Sequence, residues 1–260
     1  MSNFRSGLVR GLIIALGLGA VAALRLGAQV TETPQTITPG KFFVRMDAVS
    51  VGVNRDNSGP QTYTALGLAS TLLSAGVTND IDLQAGAQLF TRQTYQVNGN
   101  RTSHSGLGDT TFRVKWAFWR DAAWGAAAAV IPYVKIPSST IGNHHFEGGV
   151  IVPWSLALAT GTEAGAMAQW DFVRNDANDG YDSRLLASGF LRQHLVAGLG
   201  VYGEVTMTGS SAGSSRYSGT LGGGATYDVS KLLQFDYGLS RGLGGRATDW
   251  THVLRIRWGF

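Results

Sequence analysis

Thr251-His252-Val253-Leu254-Arg255-Ile256-Arg257-Trp258-Gly259-Phe260 closes the chain, and its alternation decides the fold. Leu254, Ile256, Trp258 and Phe260 share one parity, while Val253, Arg255, Arg257 and Gly259 share the other. Successive side chains of a strand point to opposite faces, so this segment has an apolar, aromatic-ended face and a basic face. A soluble β-sandwich can contain one such strand. A chain that ends on it and opens with an export signal reads instead as an all-β protein, an antiparallel transmembrane β-barrel of the bacterial outer-membrane type.

The export signal lies at the other end. Arg5 and Arg10 precede an uncharged apolar run, Gly11 to Leu24. That run falls short of the roughly 20 residues a helix needs to span a bilayer, so it reads as the h-region of a signal peptide. The alternative, a retained membrane anchor, fits poorly with the short run and with Arg25. Cleavage is expected after Ala28 or Ala23. The domain reading is a signal peptide over 1–28, a polar linker over 29–40 and a barrel over 41–260.

Composition agrees. Charged residues are 15%, below the ~25% usual in soluble domains. The mean hydropathy of +0.03 suits strands that show lipid one apolar face and a lumen one polar face. With no cysteine, a disulfide scaffold, thiol catalysis and thiolate metal sites are all excluded. The net charge of +4, less Arg5, Arg10 and Arg25 of the leader, falls to about +1. The pI of 9.5 therefore does not point to nucleic acid.

About twelve strands follow the linker, near Phe42–Val53, Thr62–Leu73, Ile81–Tyr95, Asp109–Trp119, Trp124–Lys135, Val150–Leu158, Glu163–Arg174, Tyr181–Arg192, Leu195–Met207, Tyr217–Val229, Leu232–Ser240 and Asp249–Phe260. Connections after even-numbered strands are short, such as Gln193-His194 and Ser230-Lys231. Those after odd-numbered strands are long and rich in Gly, Ser, Asn and Asp, such as Gln96–Gly108 and Pro137–Gly149. Short turns on one side and long loops on the other is the outer-membrane pattern. A sandwich has no reason to sort its loops this way.

Parity then assigns inside and outside. Phe112, Val114, Trp116 and Phe118 face lipid, as do Phe235, Tyr237, Trp170 and Phe172. A charge facing lipid at mid-bilayer costs about 2–4 kcal/mol, so charges belong on the lumen parity. The expected basic lumen wall is Arg45, Arg92, Arg113, Lys115, Lys135, Arg184, Arg192, Arg255 and Arg257. The acidic wall is Asp47, Asp82, Glu163, Asp171, Asp182, Glu204, Asp228 and Asp236. Near balance favours a lumen crossed by ion pairs over a single-sign filter. Arg113, Lys115, Lys135, Arg255 and Arg257 are expected to face Asp171, Asp228 and Asp236, with local cross-strand pairing as the alternative. Phe90, Tyr133 and Tyr202 are the inward aromatics; Trp119, Trp124, Trp154, Trp170, Trp258 and Phe260 read as interfacial girdle.

No cofactor or metal is expected. Gly198-Leu199-Gly200-Val201-Tyr202-Gly203 matches G-x-G-x-x-G, but it lies in a strand followed by a strand, not a helix, so its glycines read as wall residues. His144-His145 with Glu147, and Asp176 with Asn178 and Asp179, read as exposed loops lacking convergent ligands. A lipid hydrolase would need a serine beside a histidine on the outer wall, and neither Ser183 nor His252 sits in a serine motif.

Four stretches carry a resemblance: Gly106-Leu107-Gly108-Asp109 ahead of Lys115, Tyr133-Val134-Lys135-Ile136-Pro137, the Gly76–Leu83 run, and the Tyr227–Gly238 run. Together they resemble the outer-membrane transporter family named for the meta-pathway of phenol degradation, over roughly residues 40 to 260. Ser138-Ser139 stands where that family often has Thr-Gly. The resemblance implies uptake of aromatic or other hydrophobic small molecules. The functional expectation is a channel or facilitator for small molecules in the outer membrane, meeting lipid, a small solute and the barrel-assembly machinery, and no nucleic acid. The alternatives are a lipid-modifying hydrolase and a structural barrel with a plugged lumen.

Overall fold

The computed structural model describes residues 29–56, 61–138, 141, 144–175, 180–196, 198–211, 217–244 and 247–260. The signal peptide expected over 1–28 and the Asp176–Asp179 loop lie outside the described residues.

The strands are β1 (Phe42–Asp56), β2 (Gln61–Gly76), β3 (Ile81–Val97), β4 (Asn100–Gly106), β5 (Thr110–Asp121), β6 (Ala126–Ile136), β7 (Glu147–Ala159), β8 (Thr162–Arg174), β9 (Tyr181–His194), β10 (Leu199–Ser210), β11 (Tyr217–Asp228), β12 (Leu233–Gly242) and β13 (Trp250–Gly259). Each pairs antiparallel with its neighbours, β13 meets β1, and β2–β3 pairing completes the ring. The wall has twelve crossings because β4 and β5 share one. β5 pairs with the first half of β3 and β4 with the second, on either side of a break at Leu107–Asp109. Among the described residues β4 has no partner on its other side, so β3 and β4 project past the rim as a hairpin.

That hairpin corrects the long loop expected over Gln96–Gly108. β4 is polar on both faces and exposed nearly throughout, so no apolar alternation marks it. Its turn was written plainly. Asn98 and Gly99 have φ of 51° and 82°, the left-handed pair that a two-residue hairpin turn requires and that Asn-Gly supplies.

Following ladder partners shows how strongly the strands tilt. Phe43, at the start of β1, leads through Ser74, Gln84, Arg113, Tyr133, Gly149, Asp171 and Arg184 to Ser210 at the end of β10. One row thus climbs the full height of the wall, the stagger that closure of a tilted barrel demands.

The expected lipid face is exposed: Phe112, Val114, Trp116, Phe118, Trp170, Phe172, Phe235 and Tyr237, with the six girdle aromatics. At the seam, Phe42 and Phe260 exchange backbone hydrogen bonds of 2.9 and 3.0 Å and stack at 5.7 Å.

One assignment fails for a definite reason. Arg92 is exposed, whereas its neighbours Thr91 and Gln93 are buried. The ladder skips Ala48 between Asp47 and Val49 on β1 and Ala69 on β2, where φ is 51°, and it leaves out Leu89 on β3. An extra residue in a strand shifts every later side chain to the other face. The parity that is inward at Asp82 and Gln84 is therefore outward at Arg92, and Phe90 turns with it. Arg92 is not a lumen residue.

Candidate functional site

The lumen contains part of the chain itself. Residues 29–40, the expected linker, run from just before β1 back into the barrel, where Gln29, Thr31 and Glu32 are buried. An extended segment without strand partners must satisfy its backbone groups elsewhere. Here the inward charges do so. Glu204 accepts hydrogen bonds from the Val30 and Thr31 amides (2.9 and 2.6 Å) and from the Thr31 hydroxyl (2.6 Å). Asp82 accepts the Ile37 amide at 3.0 Å. Lys115 Nζ donates to the carbonyls of Thr33 and Gln35 at 2.9 and 3.0 Å. Arg255 donates to the Gln29 carbonyl at 3.2 Å, and Arg192 to the Gln29 side chain.

The strongest attachment is Glu32. Its carboxylate meets Arg45 at 2.8 Å and Arg113 at 3.0 Å, all largely out of solvent. Arg113 also donates to Gln84 at 2.8 Å, its ladder partner across β3–β5.

The remaining expected residues pair along ladder rows. Asp47, Arg255 and Asp236 are successive partners across β1, β13 and β12. Arg255 is 2% exposed and donates to Asp47 at 2.5 Å, and Asp236 lies 3.9 Å from it and 3.5 Å from Arg257. Arg257 donates to Gln234, which donates to Asp228. Asp171 accepts from Arg184, its ladder partner, at 2.9 Å and from the Tyr133 hydroxyl. Lys135 bridges Asp109 and Glu147. So Asp236 meets Arg255 and Arg257, while Asp171 and Asp228 take other partners. Arg113 and Lys115 meet the inserted segment.

One feature of the wall escaped the charge-led reading. Ile131, Ile151, Met167 and Leu186, from β6 to β9, point inward and form a buried apolar cluster, and Val30 and Tyr133 pack on it. The signal was Ile131 and Ile151 on the lumen parity of strands apolar on both faces.

The inserted segment divides the free volume. A cavity of about 320 Å³ on the long-loop side is lined by Arg45, Arg113, Tyr133, Ile151 and Lys135. On the short-turn side lie cavities of about 580 Å³, reaching Lys41, Lys231 and Arg257, and about 500 Å³, reaching Gly161 and His194. Thr33 and Gln35 line both of the latter, and Gln29, Glu32 and Arg45 line both the first cavity and the larger of them.

Residues 28–259 match the family described as MetA-pathway of phenol degradation. The chain belongs to that family. Among solved structures it is similar to an outer-membrane channel from Pseudomonas putida F1, with TM-score 0.68, 12% identity, and 86% of this chain and 97% of that one covered. It is also similar to the transport unit of the autotransporter AIDA-I from Escherichia coli (TM-score 0.57, 11% identity, 95% and 99% covered). The KdgM porin follows (TM-score 0.51, 10% identity, 85% and 99% covered). At these identities the likeness is one of fold, the outer-membrane β-barrel. A comparison with curated proteins found no match.

The hydrolase candidates are apart in this member of the family. His252 on β13 shares a 2.8 Å hydrogen bond with Tyr237, and Ser183 on β9 accepts from Trp170, with three strands between β9 and β13.

Proposed function

We propose that the protein is a passive outer-membrane channel for small molecules, held closed at rest by its own residues 29–40. The observation that carries this reading is the divided lumen. The wall borders substantial cavities on both sides, and a strandless segment held mainly by side chains of the wall separates them. A wall meant only for stiffness would fill its lumen with its own side chains. Cavities of several hundred Å³ suit small ligands. The family's description and the apolar cluster favour hydrophobic and aromatic compounds as cargo. Removal of a leader ending at Ala28 would leave Gln29 as the first residue, free to enter the barrel. The aromatic C-terminal strand, ending at Phe260, is the element the barrel-assembly machinery would engage.

Liposome swelling with the full mature chain and with Glu32→Gln/Glu204→Gln tests the reading. Uptake of a neutral sugar such as arabinose should be slow in the first and fast in the second. No flux from either, with the barrel folded by heat-modifiable gel mobility, would refute the channel and leave a plugged structural barrel. Lipid hydrolysis without flux would favour the hydrolase.

A further inference from the structure

The lumen has two unlike surfaces. Ile131, Ile151, Met167 and Leu186 form an apolar patch where a water-filled pore would gain nothing from one. Arg45 on β1 and Arg113 on β5 supply two guanidiniums converging on a single carboxylate. The inserted segment bridges both. Val30 lies on the apolar patch, the Glu32 amide reaches Met167 Sδ at 3.3 Å, and the Glu32 carboxylate lies between the arginines. The long-loop cavity of about 320 Å³ touches both surfaces, through Ile151 and Tyr133 on one side and Arg45 and Arg113 on the other.

We propose that this junction is a binding site for small amphipathic carboxylates, molecules with a ring or short aliphatic body and one carboxylate. The charged end takes Arg45 and Arg113, the apolar end takes the Ile131–Leu186 patch, and Val30 and Glu32 occupy the site as an internal stand-in. The inference rests on the channel reading and narrows its cargo to aromatic and aliphatic acids. Two convergent guanidiniums match the two oxygens of a carboxylate in charge and geometry. When Glu32 leaves, both arginines lose their shared anion, and an entering carboxylate restores it. A neutral hydrocarbon would satisfy the patch but bring the two arginines no anion in place of Glu32. The segment thereby makes opening depend on cargo, because a solute of the right chemistry competes with Glu32 for the same two groups.

The test is chemical rescue in the full mature chain. Glu32→Ala removes the stand-in carboxylate from between the two arginines, whether the rest of the segment is seated or out. Calorimetry on the detergent-solubilised variant, its folding checked by heat-modifiable mobility, should find benzoate binding at least about tenfold tighter than benzamide or benzyl alcohol, the worth of one charge-assisted hydrogen bond. Native protein should bind benzoate at least about tenfold more weakly than the variant. Adding Arg45→Gln and Arg113→Gln should abolish the preference and leave benzyl alcohol binding unchanged. Equal binding of benzoate and benzamide, a preference surviving loss of both arginines, or tighter binding of benzylamine, which would point to Glu204, overturns the proposal. Arabinose flux is measured separately, so failure of the channel and failure of this site give different results.

Discussion

Replacing Glu32 with glutamine tests the closed state at its strongest point. The carboxylate accepts from Arg45 at 2.8 and 3.3 Å and from Arg113 at 3.0 Å, with Arg113 and Glu32 about one-tenth exposed. Glutamine keeps the shape and one acceptor oxygen but loses the charge, leaving two guanidiniums facing a neutral amide. Breaking a buried ion pair by removing one partner costs about 3–5 kcal/mol, and the amide's residual acceptor argues for the low end, about 3 kcal/mol. In the open state Glu32 is solvated and the substitution costs nothing, so the whole difference falls on the closed state. At 1.36 kcal/mol per tenfold, about 3 kcal/mol raises the open-to-closed ratio roughly 100-fold. A native open fraction of about 0.1–1%, typical of a minor state, would rise to roughly a tenth to a half.

Single-channel recording in planar bilayers reads this directly, as long openings of the variant against rare ones of the native protein. The pair is shielded from solvent, so raising the salt should change the native open fraction only weakly. An unchanged open fraction in a folded Glu32→Gln barrel would refute the argument. It would mean that Glu204, Asp82 and Lys115 hold the segment without help. Glu204→Gln should act in the same direction, and the double variant should fall short of additivity once the segment is mostly out.

Three further outcomes follow from the wall. Arg255→Ala leaves Asp47 and Asp236 as buried carboxylates without their shared cation and should destabilise the barrel by about 3–5 kcal/mol, read as a lower Tm. Val114→Arg places a charge on the lipid face of β5 and should cost about 2–4 kcal/mol if Val114 lies near mid-bilayer, measured by reversible folding into vesicles; no change would contradict the outward parity. Deleting Phe260 removes the stack on Phe42 and two seam hydrogen bonds and should lower the yield of heat-modifiable barrel in the outer-membrane fraction.

The wall was legible because lipid enforces a strict rule. A strand that shows hydrocarbon on one face and water on the other must alternate, so Phe112 to Phe118 and Leu254 to Phe260 announce their faces. The same rule misplaced Arg92, because it assumes an unbroken count of two. Ala48, Ala69 and Leu89 are small or apolar residues that fit either face, so nothing in the sequence marks where the count slips. β4 was missed for the opposite reason: it lies beyond the lipid, where no rule forces alternation, and only Asn98-Gly99 marked it.

The inserted segment was illegible for a deeper reason. Gln29 to Gly40 is polar, unpatterned and contains two prolines, which describes a solvated linker equally well. Its backbone groups need acceptors and donors in either setting, and water or Glu204, Asp82 and Lys115 can supply them. Glu204 lies 173 residues from Thr31 in sequence, so no local pattern links them. What the sequence did offer was the wall's side of the contact. Asp82, Lys115 and Glu204 lie on the lumen parity, and a buried charge requires a partner. Asp82 is fully buried and accepts the Ile37 amide, Glu204 has two amides and a hydroxyl, and Lys115 has two carbonyls, all from the segment. Each of the three ends on backbone of the inserted chain. Inward charges that hydrogen-bond to a main chain mark a wall built around a peptide, and that peptide's own side chains, Val30 and Glu32, then report what else the wall can hold.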